Sequence, residues 1–425
     1  LLAPTGRAAK VFSVNAGRPA FTIHRRIYRQ KTFAGESTGF SLNDNMYHDT
    51  LFIVDEASMI ANGGGGEGAV FGTGCLLDDM VSFVYGGHNC RMMIIGDMAQ
   101  LPPVGEEESP ALMADFMAGY GLKVYQCDLN EILRQASGSG ILYNATEIRS
   151  MITHDEVTRL PKITFSGFAD IRMVPGGELI EQLNSSYSEV GTDETIVITR
   201  SNKRANAYNA GIRGMVLGRE EELTTGDMLM VVRNNYYWTE KAAAEEKALE
   251  DSSTGNGDER KAESQALPFI ANGDRAMVVR VRNLREFYSL HFADVWLQFP
   301  DYDNYEIMVT AVTDSLMAEA PALTREQSER LFNGVMEDYQ DVPLKADRLK
   351  KVRQDPCYNA LQIKYAYAVT CHKAQGGQWA HIYVDQGYMT DDMLSPDYIH
   401  WLYTAFTRAT EKLFLVNWPK TQTEG

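Results

Sequence analysis

Leu51-Phe52-Ile53-Val54-Asp55-Glu56-Ala57-Ser58 decides the fold, together with a later segment built the same way, Met92-Met93-Ile94-Ile95-Gly96-Asp97-Met98-Ala99-Gln100-Leu101-Pro102-Pro103-Val104. Each is a short apolar run that ends in a carboxylate. Apolar runs of this length, bounded by turn chemistry, suit parallel strands covered on both faces. In open α/β sheets ligands gather at the carboxyl ends of such strands, so the acids of both runs point into one crevice. That layout fits hydrolysis of a nucleoside triphosphate.

Around these runs, Leu1 to about Met151 alternates short strands with helical or loop stretches, the α/β signature. Ile27–Phe33 and Gly39–Leu42 flank Ala34-Gly35-Glu36-Ser37-Thr38 and predict a hairpin. Gly63 to Gly66, followed by Gly68, Gly72 and Gly74, lacks the Gly-Lys-Ser/Thr ending of a phosphate loop and reads as a surface loop. A second α/β block begins near Glu194, with a strand at Thr195–Thr199, a cap at Ser201-Asn202 and a helix to about Val216. It resumes near Leu361 with alternating Leu361, Ile363, Tyr365, Tyr367 and Val369, and runs to the strand Leu413–Val416.

Between these halves, Thr225–Val232, Met277–Val281 and Val295–Phe299 read as short strands separated by Gly-Asp turns, the grammar of a small β-barrel. Lys241 to Gln265 is rich in Ala, Glu, Lys, Ser and Gly and reads as disordered or a solvated excursion. The expected organisation is a first α/β domain at 1–151 with a hairpin insert at 25–48, and a second at 152–222 and 358–425. A β-rich module at 223–357 splits the second.

With 425 residues and 44% hydrophobic composition, the chain can bury more than one core. No apolar stretch approaches the ~20 residues that cross a bilayer, and no signal peptide is visible, so a soluble cytoplasmic protein without membrane contact is expected. The five cysteines have no metal-ligand spacing. The net charge of −17 argues at first against nucleic acid, but its distribution reverses that. Leu1 to Gly35 holds seven bases and no acid, whereas Asp301 to Asp341 holds ten acids and two bases. The late acidic region is a poor seat for a polyanion.

A strand-terminal Asp55 can hold Mg²⁺ through water, and Glu56 can orient or deprotonate an attacking water. Gln100, on a Pro-stiffened loop after Asp97, adds an amide able to hydrogen-bond a γ-phosphate. An apolar run before Asp-Glu also fits a purely structural turn; two such patterns in this order favour chemistry.

Further ordered segments carry a resemblance. Leu1–Lys10 (LLAPTGRAAK), Thr22-Ile23-His24, Ile53–Ser58 and Gly96–Val104 resemble motif Ia, the segment after it, motif II and motif III of superfamily 1 helicases of the RecD/Dda-like group. Leu129–Gln135 (LNEILRQ), Val369–Gly376 (VTCHKAQG) and Leu402–Ala409 (LYTAFTRA) resemble motifs IV, V and VI. The resemblance covers nearly the whole chain. It implies two RecA-like domains of the P-loop NTPase class, the second with an SH3-like barrel inserted, using ATP and Mg²⁺ to move 5′ to 3′ on single-stranded DNA and open duplexes. It further implies that Arg134 and Arg408 reach the γ-phosphate from separate domains, and that Asp97, Gln375, Gly376 and Thr404 also line the nucleotide. The hairpin would be a pin that splits the duplex, although a plain surface excursion explains it too.

For DNA, Pro4, Thr5, Gly6, Arg7 and Lys10 supply a loop, backbone N–H groups and two charges at a helix start. Thr22 and His24, with Thr370, His372 and Lys373, would form the matching set. Ser395-Pro396-Asp397 predicts a helix start that puts Thr404 and Arg408 on one face. The implied partners are single-stranded DNA and its junctions with duplex, for a monomer working alone or with a repair or nuclease partner. No GxxxxGK[ST] occurs and the chain opens mid-element, so a fragment whose phosphate loop lies upstream of Leu1 is expected. The alternative is a nucleic-acid-binding scaffold or subunit that has lost its ATPase.

Overall fold

Thr5 starts the first helix. In the computed structural model, which describes residues 1–33, 36–63, 72–129, 138–154, 159–252 and 269–424, β1 (Leu2–Ala3) leads into α1 (Gly6–Ala16). The Thr5 hydroxyl accepts from the Ala8 N–H at 3.2 Å, an N-cap, and Gly17 closes the helix at φ 61°. β2 (Phe21–Thr22) runs into the short α2 (Ile23–Ile27), capped in the same way by Thr22. β3 (Tyr28–Phe33) and β4 (Glu36–Leu42) pair antiparallel, Tyr28 opposite Leu42, as the hairpin expectation had it. Its tip residues 34 and 35 lie outside the described residues, as do Gly64 to Gly66, Gly68 and the rest of 64–71.

β5 (Leu51–Val54) and β6 (Arg91–Ile94), with α3 (Leu76–Gly86) between them and α4 (Ala114–Ala118) after, complete a parallel sheet of order β2-β1-β5-β6. Phe52 and Val54 bury against Ile23, Ile27, Leu77, Met80 and Val84. The expectation of cover on both faces is corrected: Leu51 is 50% exposed, Met93 48% and Ile95 39%. Among the described residues the apolar cluster forms on one side of these strands only, so alternate side chains stay open.

α5 (Gly140–Thr153) opens on an acidic anchor: Asp170 accepts from the Gly140 N–H at 2.8 Å and from the Ser139 hydroxyl at 2.5 Å. β7 (Ile163–Thr164), β8 (Ile171–Val174), α6 (Leu179–Glu189) and β9 (Thr195–Thr199) follow. α7 (Asn202–Gly211), continued by a π turn at Ile212–Val216, ends near where the sequence predicts.

β10 (Met228–Val231), β11 (Arg275–Phe287), β12 (Leu290–Phe299), β13 (Tyr305–Val312) and β14 (Leu361–Tyr365) close into a barrel. Two expectations are corrected here. Tyr237–Ser252 is a helix, α8, where disorder from Lys241 is expected. Ala, Glu and Lys are strong helix formers, and Trp238, buried, anchors the start by donating its indole N–H to Asn359 O at 2.9 Å. Residues 253–265 of that stretch lie outside the described residues. Leu361–Tyr365, assigned from sequence to the second α/β domain, is instead the barrel's closing strand, pairing with both β10 and β13. Alternation of apolar residues cannot tell a barrel strand from a sheet strand. α9 (Arg325–Asp338) and α10 (Lys345–Arg353) lie between β13 and β14.

β15 (Ala368–Thr370), α11 (Cys371–Ala374), β16 (Trp379–Asp385), α12 (Pro396–Phe406) and β17 (Ala409–Val416) return the chain to the second parallel sheet, of order β15-β9-β16-β17-β8, and β18 (Thr423–Glu424) pairs with β7 in a separate two-stranded sheet. Every residue of β9 and β16 is buried. The boundary expected at 151 cuts through α5, which packs on α12 and so belongs with this sheet. The chain divides into one unit holding both parallel sheets, residues 1–208 and 368–425, and another holding the barrel, residues 209–367. No helix among the described residues is long and apolar enough to cross a membrane.

Candidate nucleotide site and nucleic-acid interface

The carboxyl end of β5 is held by its neighbours on both sides. The Asp55 N–H donates to Leu2 O at 2.9 Å, and the Ala57 N–H to Ile95 O at 3.0 Å. Between them Glu56 takes φ 52° and ψ 39°, the left-handed region, and its N–H donates to the Asp55 carboxylate at 2.9 Å. That conformation costs a non-glycine residue roughly 1 kcal/mol or more; such strain collects at functional sites where the surroundings over-determine it.

Facing it from the second sheet, Arg408 Nη1 lies 3.7 Å from Glu56 Oε1. Arg408 is 3% exposed and fixed by three more contacts: Nε to Thr404 O at 3.2 Å, Nη1 to Gly377 O at 3.3 Å and Nη2 to Thr407 Oγ1 at 3.3 Å. The helix start predicted at Ser395 is present, with Ser395 Oγ accepting from the Tyr398 N–H at 3.2 Å. α12 stops at Phe406, however, so Arg408 lies beyond the helix, and the bond to Thr404 O rather than a shared helical face brings the two together.

The loop after β6 is gripped by the second sheet's elements. Thr404 Oγ1 accepts from the Leu101 N–H at 2.8 Å, and Gln375 Nε2 donates to Leu101 O at 2.7 Å. Asp97 accepts from the Tyr403 phenol at 2.6 Å and from Arg149 Nη1 at 2.9 Å, while Arg149 also donates to the phenol at 2.9 Å. Burial and the Asp97 charge push the Tyr403 phenol up to about 12, which keeps it a donor. Thr404, Gln375 and Asp97, predicted as nucleotide contacts, thus join the two sheets. Gly376 does too: at φ 75°, a Cβ there would lie 3.2 Å from Thr5 Oγ1 and 3.3 Å from Ala8 Cβ, so it abuts the start of α1.

The predicted DNA residues gather around that junction. Thr22 is the register partner of Ala3, next to Pro4, Thr5 and Gly6. Thr370, His372 and Lys373 start α11, which leads into Gln375 and Gly376. The Thr5 and Thr22 hydroxyls act as helix caps. Arg7 stacks on Trp379 at 4.9 Å and donates to Gln378 O, with Glu194 3.4 Å away. Lys10 and His372 are exposed. Burial drives His24 down to about 4, so it is neutral at pH 7; desolvation by the surrounding groups lowers Lys373 and, despite the solvent-open edge of its ring, His372 as well. Arg134 lies outside the described residues. Arg149 and His400, whose Nδ1 lies 2.9 Å from Ala99 O, carry no sequence signal of their own. Tyr403 stands inside the motif VI resemblance without an assigned role.

Asp55, Glu56 and Arg408 bring two acids and a buried cation to one place, a donor set chemically compatible with a divalent cation and a phosphate. Gln100 is 7% exposed, and its amide oxygen, an acceptor, has no partner among the described residues, so it is placed to accept from a water, while its amide N–H is the group that can donate to a phosphate oxygen. No group of three or more His, Cys, Asp or Glu gathers as a metal cage among the described residues. Mg²⁺ held mainly by water and phosphate needs only one carboxylate or two. A separate cavity of about 990 Å³ is lined by Glu106, Glu107, Glu108 and Asp397, and that charge repels phosphate.

Two parallel sheets, with an acid-tipped strand in one and a buried arginine from the other beside it, form a pair of RecA-like domains. Residues 1–160 match a family model described as an AAA domain, and residues 365–416 match the UvrD-like helicase C-terminal domain. An AAA-type domain is thus followed in one chain by a segment of the UvrD-like helicase C-terminal kind. Solved structures similar to it include a Bacteroides Pif1 helicase in complex with ADP-AlF3 and single-stranded DNA, 16% identical over 99% of this chain and 83% of that one, with a TM-score of 0.44. A Candida albicans Pif1 helicase is 14% identical over 88% of this chain and 72% of that one, with a TM-score of 0.35.

Proposed function

We propose that this chain is the motor of an ATP-dependent DNA helicase that moves 5′ to 3′ on single-stranded DNA and opens duplex at the junction. The observation that carries it is the 3.7 Å approach of Arg408 to Glu56 from opposite sheets, with Glu56 held in a strained backbone conformation. Asp55 holds Mg²⁺ through water. Glu56 orients and deprotonates the attacking water, Gln100 hydrogen-bonds the γ-phosphate, and Arg408, with Arg134, neutralises charge as it develops. Arginine fingers in related NTPases are worth about 10³–10⁵ in rate. ATP, when bound, supplies the phosphoanhydride whose cleavage drives the cycle.

The bonds from Thr404 and Gln375 to Leu101, and from Tyr403 to Asp97, make domain closure and the Gln100 loop one mechanical unit. The same elements place α1 and α11 side by side, so closure alters the DNA-facing set. Polarity follows the family resemblance. The grip on the β- and γ-phosphates comes, in this reading, from a P-loop upstream of Leu1. Two features support it: the 425 residues hold no GxxxxGK[ST], and among the described residues β6 pairs only with β5 and leaves an edge for a further parallel strand. Reading the gene upstream of Leu1 tests that point, and a start codon there in place of a P-loop opposes it. Unwinding of 5′- and 3′-tailed duplexes by the P-loop-containing protein tests the whole. Opening of the 5′-tailed substrate alone is expected, and binding without ATP-driven opening of either would make the chain a scaffold.

A further inference from the structure

α10 reads Lys345-Ala346-Asp347-Arg348-Leu349-Lys350-Lys351-Val352-Arg353, five cations in nine residues of a chain whose net charge is −17. It is fixed in place. Val352 is buried in one apolar cluster with Leu331 and Val335 of α9, and Arg348 Nη2 donates to Val342 O at 3.0 Å and Gln340 O at 3.1 Å. The remaining cations, Lys345, Lys350, Lys351 and Arg353, are exposed, and none makes an ion pair among the described residues. The adjoining helix differs: in α9, Arg325 pairs with Glu329 at 2.7 Å and Arg330 with Glu326 at 3.0 Å. Neutralisation is the local rule, and α10 breaks it.

The helix dipole explains part of this. Lys350, Lys351 and Arg353 sit in the last turn, where a cation is favoured. Lys345 occupies the first turn, where a cation is disfavoured, after an N-cap, Leu344, that makes no side-chain bond. Stability of the helix gives no reason for it.

We infer that the exposed face of α10 is a docking surface for the sugar–phosphate backbone of duplex DNA, an interaction that rests on the DNA reading above. Cations without acidic partners on a rigid helix supply the sequence-independent phosphate contacts of such a surface. None of the helix's own residues is aromatic, and the Tyr339 ring beside it is covered by Lys351, whose Nζ lies 5.7 Å from the ring centroid, and held by its phenol's bond to Asp355, so the face offers no open stacking platform of the kind on which single-stranded bases are held. It lies just beyond the acidic stretch 301–341, whose charge keeps a polyanion off the neighbouring surface and confines it to the helix.

The test compares this 425-residue chain with K345Q/K350Q/R353Q in binding a short blunt duplex and an oligo-dT strand over a salt series. The duplex Kd should rise about tenfold and its log–log salt slope flatten by about three, roughly one unit for each phosphate no longer neutralised. Oligo-dT affinity should hold. The charge-retaining K345R/K350R/R353K should bind duplex like the parent, which separates charge from folding. Unchanged duplex binding by K345Q/K350Q/R353Q, or an equal loss for both ligands, overturns the assignment. So does loss of binding to polyglutamate with duplex binding intact, which would give the face to an acidic protein. A parent chain that binds oligo-dT but no duplex defeats this inference alone; one that binds neither defeats the DNA reading itself.

Discussion

Tyr403, on α12 beside the second parallel sheet, donates its phenol proton across 2.6 Å to Asp97, on the loop that follows β6 of the first. Arg149 donates to the same carboxylate at 2.9 Å, making a three-residue latch on the loop that carries Gln100. Tyr403→Phe removes two hydrogen bonds, the one donated to the Asp97 carboxylate and the one accepted from Arg149, each to a charged group and worth about 1.5–3 kcal/mol, and leaves Asp97 paired with Arg149. In the P-loop-containing protein, this variant should hydrolyse ATP at a reduced kcat with little change in KM, and its hydrolysis should respond less to DNA. Steady-state ATPase assays with and without oligo-dT check this. A loss confined to KM would place Tyr403 at the nucleotide instead.

Gly376 is required twice, by its φ of 75° and by the 3.2–3.3 Å spaces around its missing Cβ. Gly376→Ala costs roughly 1 kcal/mol or more in the backbone and pushes α11 from α1. A lower thermal midpoint and weaker oligo-dT binding should appear together. Full affinity for oligo-dT in a destabilised variant would mean that this junction does not shape the DNA-facing set.

Much of the site was readable in sequence because it is local. A strand followed by Asp55-Glu56 sets the position of both acids through the strand itself, and Ser395-Pro396 starts α12 by its own capping chemistry. The rest depends on what two distant segments do to each other. Thr404, Gln375 and Gly376 sit in segments where nucleotide contact was the natural reading, yet their geometry serves Leu101 and α1. Arg149 stands in no pattern at all. At Leu361 the same alternation fits a sheet or a barrel, and only the register with β10 and β13 decides.

Asp274, at the start of the barrel's long strand, is buried, and desolvation raises its carboxyl to about 7, against the bonds from the Ala271 N–H and the Tyr302 phenol. The folded state therefore keeps a proton that the unfolded chain releases near pH 4. Between those values unfolding liberates a proton, so stability falls as pH rises, by about 1.4 kcal/mol per unit. Thermal melts from pH 5 to 8 should show this decline, and Asp274→Asn should flatten it. An unchanged slope in that variant would assign the dependence to another group.

Arg408→Lys keeps a charge but loses the fork that reaches Thr404 O, Gly377 O and Glu56 together. In the P-loop-containing protein, hydrolysis should drop by about 10³-fold or more, while ATP affinity stays within a few-fold. Near-normal turnover would remove Arg408 from the transition state.

The most direct measurement is DNA-stimulated ATP hydrolysis by the P-loop-containing protein and its Glu56→Gln variant, with nucleotide binding measured alongside. The substitution keeps the shape and the backbone conformation at residue 56 and takes away only the base beside Arg408. Abolished turnover with intact ATP binding is the predicted result. Turnover that survives the substitution would contradict the account of Glu56 and Arg408 as the two halves of one hydrolytic site.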